Sequence, residues 1–163
     1  MSYVDLHCHS TASDGSLSPR EVVKLAKASG VSAMALTDHD TIAGNREAAE
    51  AAAELGIDFI TGIEISCEWR SPGNMHLLGY GVDPDSEVLA DLSRQLIEGR
   101  NNRNPRIVQK LNELGVAVTM EEWEQEAGGN VLGRPHLAAI LVRKGYVSSI
   151  KHAFDKYLGQ GGL

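Results

Sequence analysis

Val31-Ser32-Ala33-Met34-Ala35-Leu36-Thr37-Asp38-His39-Asp40 is the stretch that decides how this chain is built. The apolar run over residues 31–37 has the length of a buried strand. It stops abruptly in three polar residues, as a strand does where it leaves the core for a loop. The pattern repeats on both sides. Upstream, residues 3–7 read as a short strand, and Ser18-Pro19-Arg20-Glu21 is a capping box with proline at the first helical position, opening a helix that should stop at Gly30. Downstream, an alanine-rich helix over residues 43–55 stops at Gly56 and precedes a strand over residues 57–66. Strand and helix alternate with a period of about thirty residues. That rhythm predicts parallel strands joined by right-handed crossovers.

Folds of this kind collect functional residues at the C-terminal ends of their strands, where His7, His9, His39 and Glu64 fall. In Asp5-Leu6-His7-Cys8-His9 the alternation of an extended strand puts His7 and His9 on one face and Cys8 on the other. Neutral imidazole suits zinc, manganese and iron, and the carboxylates of Asp14 and Glu64 add the charge to hold two or three divalent ions close together. After a turn at Ser71-Pro72-Gly73-Asn74, a strand over residues 75–82 carries His76, which one strand parity aims at the same centre and the other leaves structural. A single histidine is ordinarily a surface or satisfied core residue. Four together in the first half of the chain argue for a metal site and for metal-assisted hydrolysis.

With 163 residues, 42% of them hydrophobic, the chain can bury one core. No stretch approaches the ~18 apolar residues of a membrane span, and the N-terminus has neither a basic leader nor a long apolar segment, so the expectation is a soluble, cytoplasmic protein. A net charge of −7, from 15 Lys plus Arg against 22 Asp plus Glu, disfavours broad capture of duplex nucleic acid. A small anionic substrate stays compatible, because bound divalent ions overturn the acidic balance locally. Cys8 and Cys67 have neither zinc-type spacing nor a disulfide framework, and strand parity turns both toward the helices as packing residues.

The composition shifts after Asp83-Pro84-Asp85. Residues 1–85 form the strand-and-helix part with the metal motifs, 86–157 read as an inserted helical module, and 158–163 as a return toward the first part. The module begins with a long amphipathic segment through Leu114, in which Pro105 predicts a kink or break. A capping box at Thr119 and Glu122, a helix from Pro135 and another capped by Ser148 and ending near Gly159 complete it. Arg100, Arg103 and Arg106 lie near one helix face, as a solvated face or a basic stripe. Gly133-Arg134-Pro135-His136 puts an arginine and a histidine at a helix start, where free N–H groups and the dipole favour anions. Arg134 there reads equally as a phosphate contact and as a surface arginine.

Asp5-Leu6-His7-Cys8-His9-Ser10, Ser13-Asp14-Gly15, Thr37-Asp38-His39-Asp40, Gly62-Ile63-Glu64-Ile65-Ser66 and His76-Leu77-Leu78-Gly79-Tyr80, in this order, resemble motifs of the polymerase and histidinol phosphatase, or PHP, family. Gly133-Arg134-Pro135-His136 and Tyr157-Leu158-Gly159 further resemble its branch with a helical insert, which contains nucleoside 3′,5′-bisphosphate phosphatases and a 5′-to-3′ exoribonuclease acting on short RNA. The resemblance implies an α/β fold, a distorted seven-stranded β/α barrel of which this chain supplies the first half and an inserted helical subdomain. It implies two to three divalent ions, manganese first and zinc or iron as alternatives, with His7, His9, Asp14, His39, Glu64 and His76 as ligands and Glu64 bridging. Asp5 and Asp38 then fit as partners that orient imidazoles, and Arg134 and His136 match positions facing the substrate phosphate.

The implied function is hydrolysis of phosphate esters of a nucleotide or short oligonucleotide by metal-activated water. No side-chain nucleophile is expected, since no Cys or Ser has a recognisable base beside it. A small-metabolite phosphatase of the histidinol phosphate type and a degenerate, non-catalytic metal-binding module are the alternatives. The family's later motifs, a histidine after a strand and a final Asp-x-His, have no counterpart before Gly161-Gly162-Leu163. The expectation is therefore that the rest of the same protein, or a second chain, completes the barrel. By itself this chain should be inactive and should associate through an open strand edge.

Overall fold

Ser18 starts the first helix by accepting the Glu21 N–H, while the Glu21 carboxylate accepts the Ser18 N–H. Reciprocal capping of this kind satisfies two donors that the helix itself leaves unpaired. The helix, α1 (Pro19–Ala28), closes at Ser29, and Gly30 turns the chain with φ +81° into β2 (Val31–Leu36). The computed structural model describes residues 3–67, 75–128 and 131–159. They form β1 (Tyr3–Cys8), α1, β2, α2 (Asn45–Leu55), β3 (Asp58–Cys67), β4 (Met75–Tyr80), α3 (Glu87–Glu113), α4 (Met120–Ala127), α5 (Arg134–Arg143) and α6 (Ile150–Ala153), followed by a π-helical turn, Phe154–Leu158. Two compact units divide between Leu96 and Ile97, within α3.

The first unit is built on one sheet in the order β1-β2-β3-β4. The first three strands are parallel, as their helical crossovers require, and β4 returns antiparallel to β3. The turn expected at residues 71–74 lies outside the described residues. Tyr80 of β4 donates its hydroxyl to the Leu6 carbonyl of β1 at 2.9 Å. Contact between the first and last strands of a four-stranded sheet requires strong curling, and the sheet forms half a barrel.

Its helix-covered face holds a core of Val23, Met34, Leu36, Ala48, Ala51, Ala52 and Ile57. The alanines let α2 lie close on the strands. Asn45, at the start of α2, accepts the Gly62 N–H at 2.9 Å and donates to the Gly62 carbonyl at 2.8 Å, joining that helix to β3. Gly62 itself has no room for a side chain, since a Cβ there would lie 2.7 Å from Thr37 Cγ2 and 2.8 Å from the Leu36 carbonyl. Cys8 packs against this core, and burial, with Asp5 beside it, pushes its thiol up to about 12. Cys67 ends β3 opposite Met75 of β4, half-buried.

The second unit packs its helices around Leu111, Trp123, Leu137, Ile140 and Leu141, all fully buried. Trp123 settles its indole N–H on the Gly133 carbonyl at 3.0 Å, so the large ring is buried without an unsatisfied donor. The Thr119–Glu122 capping box opens α4 as the sequence predicts. Two expectations are corrected. Of the kink or break expected at Pro105, the break does not occur: helix α3 continues through it, because proline removes one backbone donor while helix-compatible sequence flanks it on both sides. The cap of α6 is Ser149, whose side chain accepts the His152 N–H, and not Ser148, whose hydroxyl lies 3.2 Å from the His152 ring. Among the described residues no helix is long and apolar enough to cross a membrane.

Candidate metal centre

Strand β1 delivers His7, His9 follows directly after its end, and the loop that continues has to bring Asp14 back toward them. Asp38, fully buried, achieves this by accepting the Ser10 N–H, the Ser10 hydroxyl and the Ser13 hydroxyl, each at 2.7 Å. The loop is drawn tight enough that a Cβ on Gly15 would lie 2.6 Å from the His9 carbonyl. Asp14 then stands 3.7 Å from His9 Nδ1 and 3.7 Å from His39 Nε2. Burial outweighs the three hydrogen bonds at Asp38 and holds its carboxyl above the ordinary aspartate range.

His39 is placed by the backbone. Beyond the end of β2, the Glu64 N–H donates to the Asp38 carbonyl at 3.1 Å and the Asp40 N–H donates to the Glu64 carbonyl at 2.8 Å, an isolated parallel bridge that sets His39 beside Glu64. Asp40 adopts the left-handed conformation, φ +57°, which costs a side-chain-bearing residue about 1–2 kcal/mol. Its carboxylate accepts the Ser66 N–H at 2.6 Å and the Ser66 hydroxyl at 2.8 Å. On the other side of β3, His76 is the register partner of Ser66 and so stands diagonal to Glu64 on the same face.

These placements converge on the Glu64 carboxylate, which is nearly buried. Its Oε2 lies 2.9 Å from His7 Nε2, 3.2 Å from His9 Nε2 and 3.4 Å from His39 Nδ1, and its Oε1 lies 2.7 Å from His76 Nδ1. Burial would raise the pKa of Glu64, but the imidazoles of His7, His39 and His76 outweigh it and hold the carboxyl below the usual range. The six expected ligands all come together. They form three overlapping groups, His7–His9–Glu64, His9–Asp14–His39 and His39–Glu64–His76, and within each group the donor atoms lie within 4.8 Å of one another.

The donor chemistry fits divalent cations: imidazole nitrogens and carboxylate oxygens in this ratio suit manganese, zinc or iron. One buried atom points the same way. His9 Nδ1 is shielded from solvent and has no hydrogen bond among the described residues, with the Asp14 carboxylate only at 3.7 Å. A buried ring nitrogen in that position is costly unless a hydrogen-bond partner or a cation faces it.

The remaining expected residues are placed differently. Asp5 accepts the backbone N–H of His7 at 3.2 Å and lies beside the Cys8 thiol, and Asp38 serves Ser10 and Ser13, so the described bonds of both go to backbone, hydroxyl or thiol groups and not to imidazole N–H groups. In the second unit Arg134 is half-buried and donates to the Leu158 carbonyl at 3.0 Å, while burial and the neighbouring Arg100 lower its pKa. His136 Nδ1 accepts the Gly133 N–H at 3.3 Å. Arg103 and Arg106 are exposed. The sequence reading did not single out Asp40, Ser10, Ser13 or Ser66 as builders of the site. The available signal was a short polar residue directly after His39, the type that tolerates a left-handed backbone.

Residues 5–160 match the family model of the PHP domain. A 5′-3′ exoribonuclease of Haemophilus influenzae is 46% identical over 96% of this chain and 57% of its own length. A 3′,5′-nucleoside bisphosphate phosphatase of Chromobacterium violaceum is 38% identical over 99% of this chain and 56% of its own. Among solved structures, one described as a metal-dependent phosphoesterase from Bifidobacterium adolescentis superposes with a TM-score of 0.83 at 32% identity, covering 93% of this chain and 54% of that one. The chain thus spans about half the length of the relatives it matches.

Proposed function

This chain belongs to the PHP domain family, and from that premise we propose that the whole protein is a metal-dependent phosphoesterase acting on phosphate esters of nucleotides. One observation carries the reading: six imidazole and carboxylate residues form three contiguous donor groups joined through His9, His39 and Glu64. His7, His9, Asp14, His39, Glu64 and His76 would hold two or three divalent ions, manganese foremost. Such ions supply Lewis acidity toward phosphoryl oxygens and lower the pKa of water.

The protein's own part is arrangement. Asp38 and Asp40 fix the two segments that flank His39, so the donors are held before any ligand arrives and little reorganisation is left for the reaction. Glu64, kept ionised by its imidazole neighbours, supplies negative charge to two donor groups at once. A covalent thiol route is disfavoured, because the Cys8 thiol packs against the helix-side core and is pushed far above the range of a reactive thiolate. Nucleotide esters are preferred as substrates because the exoribonuclease and the bisphosphate phosphatase are both similar over nearly all of this chain. Arg134 is proposed to contact a substrate phosphate and His136 to assist it. A cytoplasmic site of action belongs to the same proposal.

The decisive experiment assays the whole protein, with manganese, on adenosine 3′,5′-bisphosphate, short 5′-phosphorylated RNA and histidinol phosphate. Hydrolysis of a nucleotide substrate that disappears on chelation and returns with metal supports the reading. Full activity after exhaustive demetallation sinks the mechanism, and activity on histidinol phosphate alone sinks the substrate class.

A further inference from the structure

The residue after His39 is buried, strained and outside all three donor groups, yet it is doubly bonded to a neighbouring strand. Regular pairing of β2 with β3 ends at Leu36 and Thr61. The same register resumes at a single bridge, His39 with Glu64, carried by the two backbone bonds of Asp38 and Asp40 to Glu64. An isolated bridge at the end of a ladder is where a sheet ordinarily frays. Here the left-handed backbone of Asp40 turns the chain away, and its carboxylate reaches back to Ser66, two residues beyond Glu64. Ser66 is also the register partner of His76. The clasp therefore lies next to all three members of one donor group: it follows His39, spans Glu64 and sits opposite His76.

We propose that Asp40 is a positioning residue, whose clasp on Ser66 holds His39, Glu64 and His76 at the separation a divalent cation needs. This rests on reading the donor cluster as a metal site. Partners that orient ligands in this indirect way typically govern affinity by 10–100-fold. Because only the group His39–Glu64–His76 has all three of its members beside the clasp, its loss should weaken one class of ion more than the rest.

The test uses the whole protein and two measurements, manganese binding followed by the resonance signal of the free ion, and hydrogen exchange at the Glu64 and Ser66 amides in metal-free protein. Asp40→Ala is expected to weaken one class of manganese site by at least tenfold and to speed exchange at both amides. Asp40→Asn keeps an acceptor for the Ser66 N–H and tolerates the left-handed backbone, so it should recover most of both. Ser66→Ala should give a smaller loss in the same class of site. Asp40→Ala that binds manganese like the wild type overturns the proposal while leaving the metal site standing. A wild type that binds no manganese, with exchange still dependent on Asp40, overturns the metal reading and reduces the clasp to a fold contact.

Discussion

His39 and Glu64 meet as a lone parallel bridge past the end of the β2–β3 ladder, with Nδ1 and Oε2 3.4 Å apart. Neighbours in a parallel register point to the same face, so main-chain pairing, more than side-chain rotamers, sets the distance between these two donors. The other donors are then measured from this pair: His7 reaches Glu64 from β1, His9 from the residue just past its end, and His76 from β4.

His39→Ala removes a donor from two groups, and Glu64→Gln replaces the anion that faces four imidazoles. Each is expected to lower turnover of the whole protein by well over tenfold, about 1.4 kcal/mol of barrier, with its circular dichroism unchanged. Steady-state kinetics on a nucleotide phosphate ester decides. A variant within tenfold of the wild type removes that residue from the donor set.

Arg134→Ala should lower kcat/KM by the equivalent of roughly 1.5–3 kcal/mol, the range of a charge-assisted hydrogen bond, at unaltered metal content. Arg134→Lys should recover only part, because an ammonium lacks the planar fork. Kinetics identical to wild type would return Arg134 to the sole role of tying α5 to the Leu158 carbonyl.

Gly62→Ala places a methyl group 2.7 Å from Thr37 Cγ2 and 2.8 Å from the Leu36 carbonyl, where backbone cannot yield cheaply. The expected destabilisation is about 1–3 kcal/mol, read from the urea midpoint. A midpoint equal to wild type would mean that β3 does not approach β2 so closely.

Acid should loosen α4 through Glu122. Lys144 Nζ, 2.5 Å from Oε1 and 2.7 Å from Oε2 of its carboxylate, and the Thr119 N–H at 3.0 Å hold this group below the ordinary glutamate range. A lowered folded-state pKa means that the ionised form stabilises: the contribution is complete above the unfolded value near ~4.3 and fades as pH falls through the folded value. Amides at the start of α4 should lose exchange protection below about pH 4, and Glu122→Gln should reduce that dependence, leaving the share that its neighbour Glu121, also held below the ordinary range, contributes. Equal acid sensitivity in both proteins would assign the effect elsewhere.

Much of the first unit is legible because its signals are local. Ser18 and Glu21 announce the start of α1, Gly30 and Gly56 follow the ends of α1 and α2, and the spacing of His7 and His9 anticipates that both reach Glu64. The antiparallel direction of β4 is not carried by its own residues, since strand polarity depends on the connection that precedes it. Ser148 and Ser149 are adjacent and chemically alike, so only the built helix distinguishes the cap. Pro105 misleads because the loss of one donor is weighed against the helical run on both sides of it. Asp38 and Asp40 stand in plain view beside His39, but their partners Ser10, Ser13 and Ser66 lie far along the chain, and only the fold pairs them.

Those long spans bear on how the molecule assembles. The carboxylate bonds of residues 38 and 40 close over 25, 26 and 28 residues of chain; those of Asp38 wait for the β1 side of β2 to dock, and those of Asp40 for the β3 side. Contacts that must wait for loop closure come late in folding. The donor cluster, which draws on both sides, is thus completed only once β1, β2 and β3 have come together. Until then the histidines and acids stay dispersed along the chain, and no ion can meet the full set of donors at once.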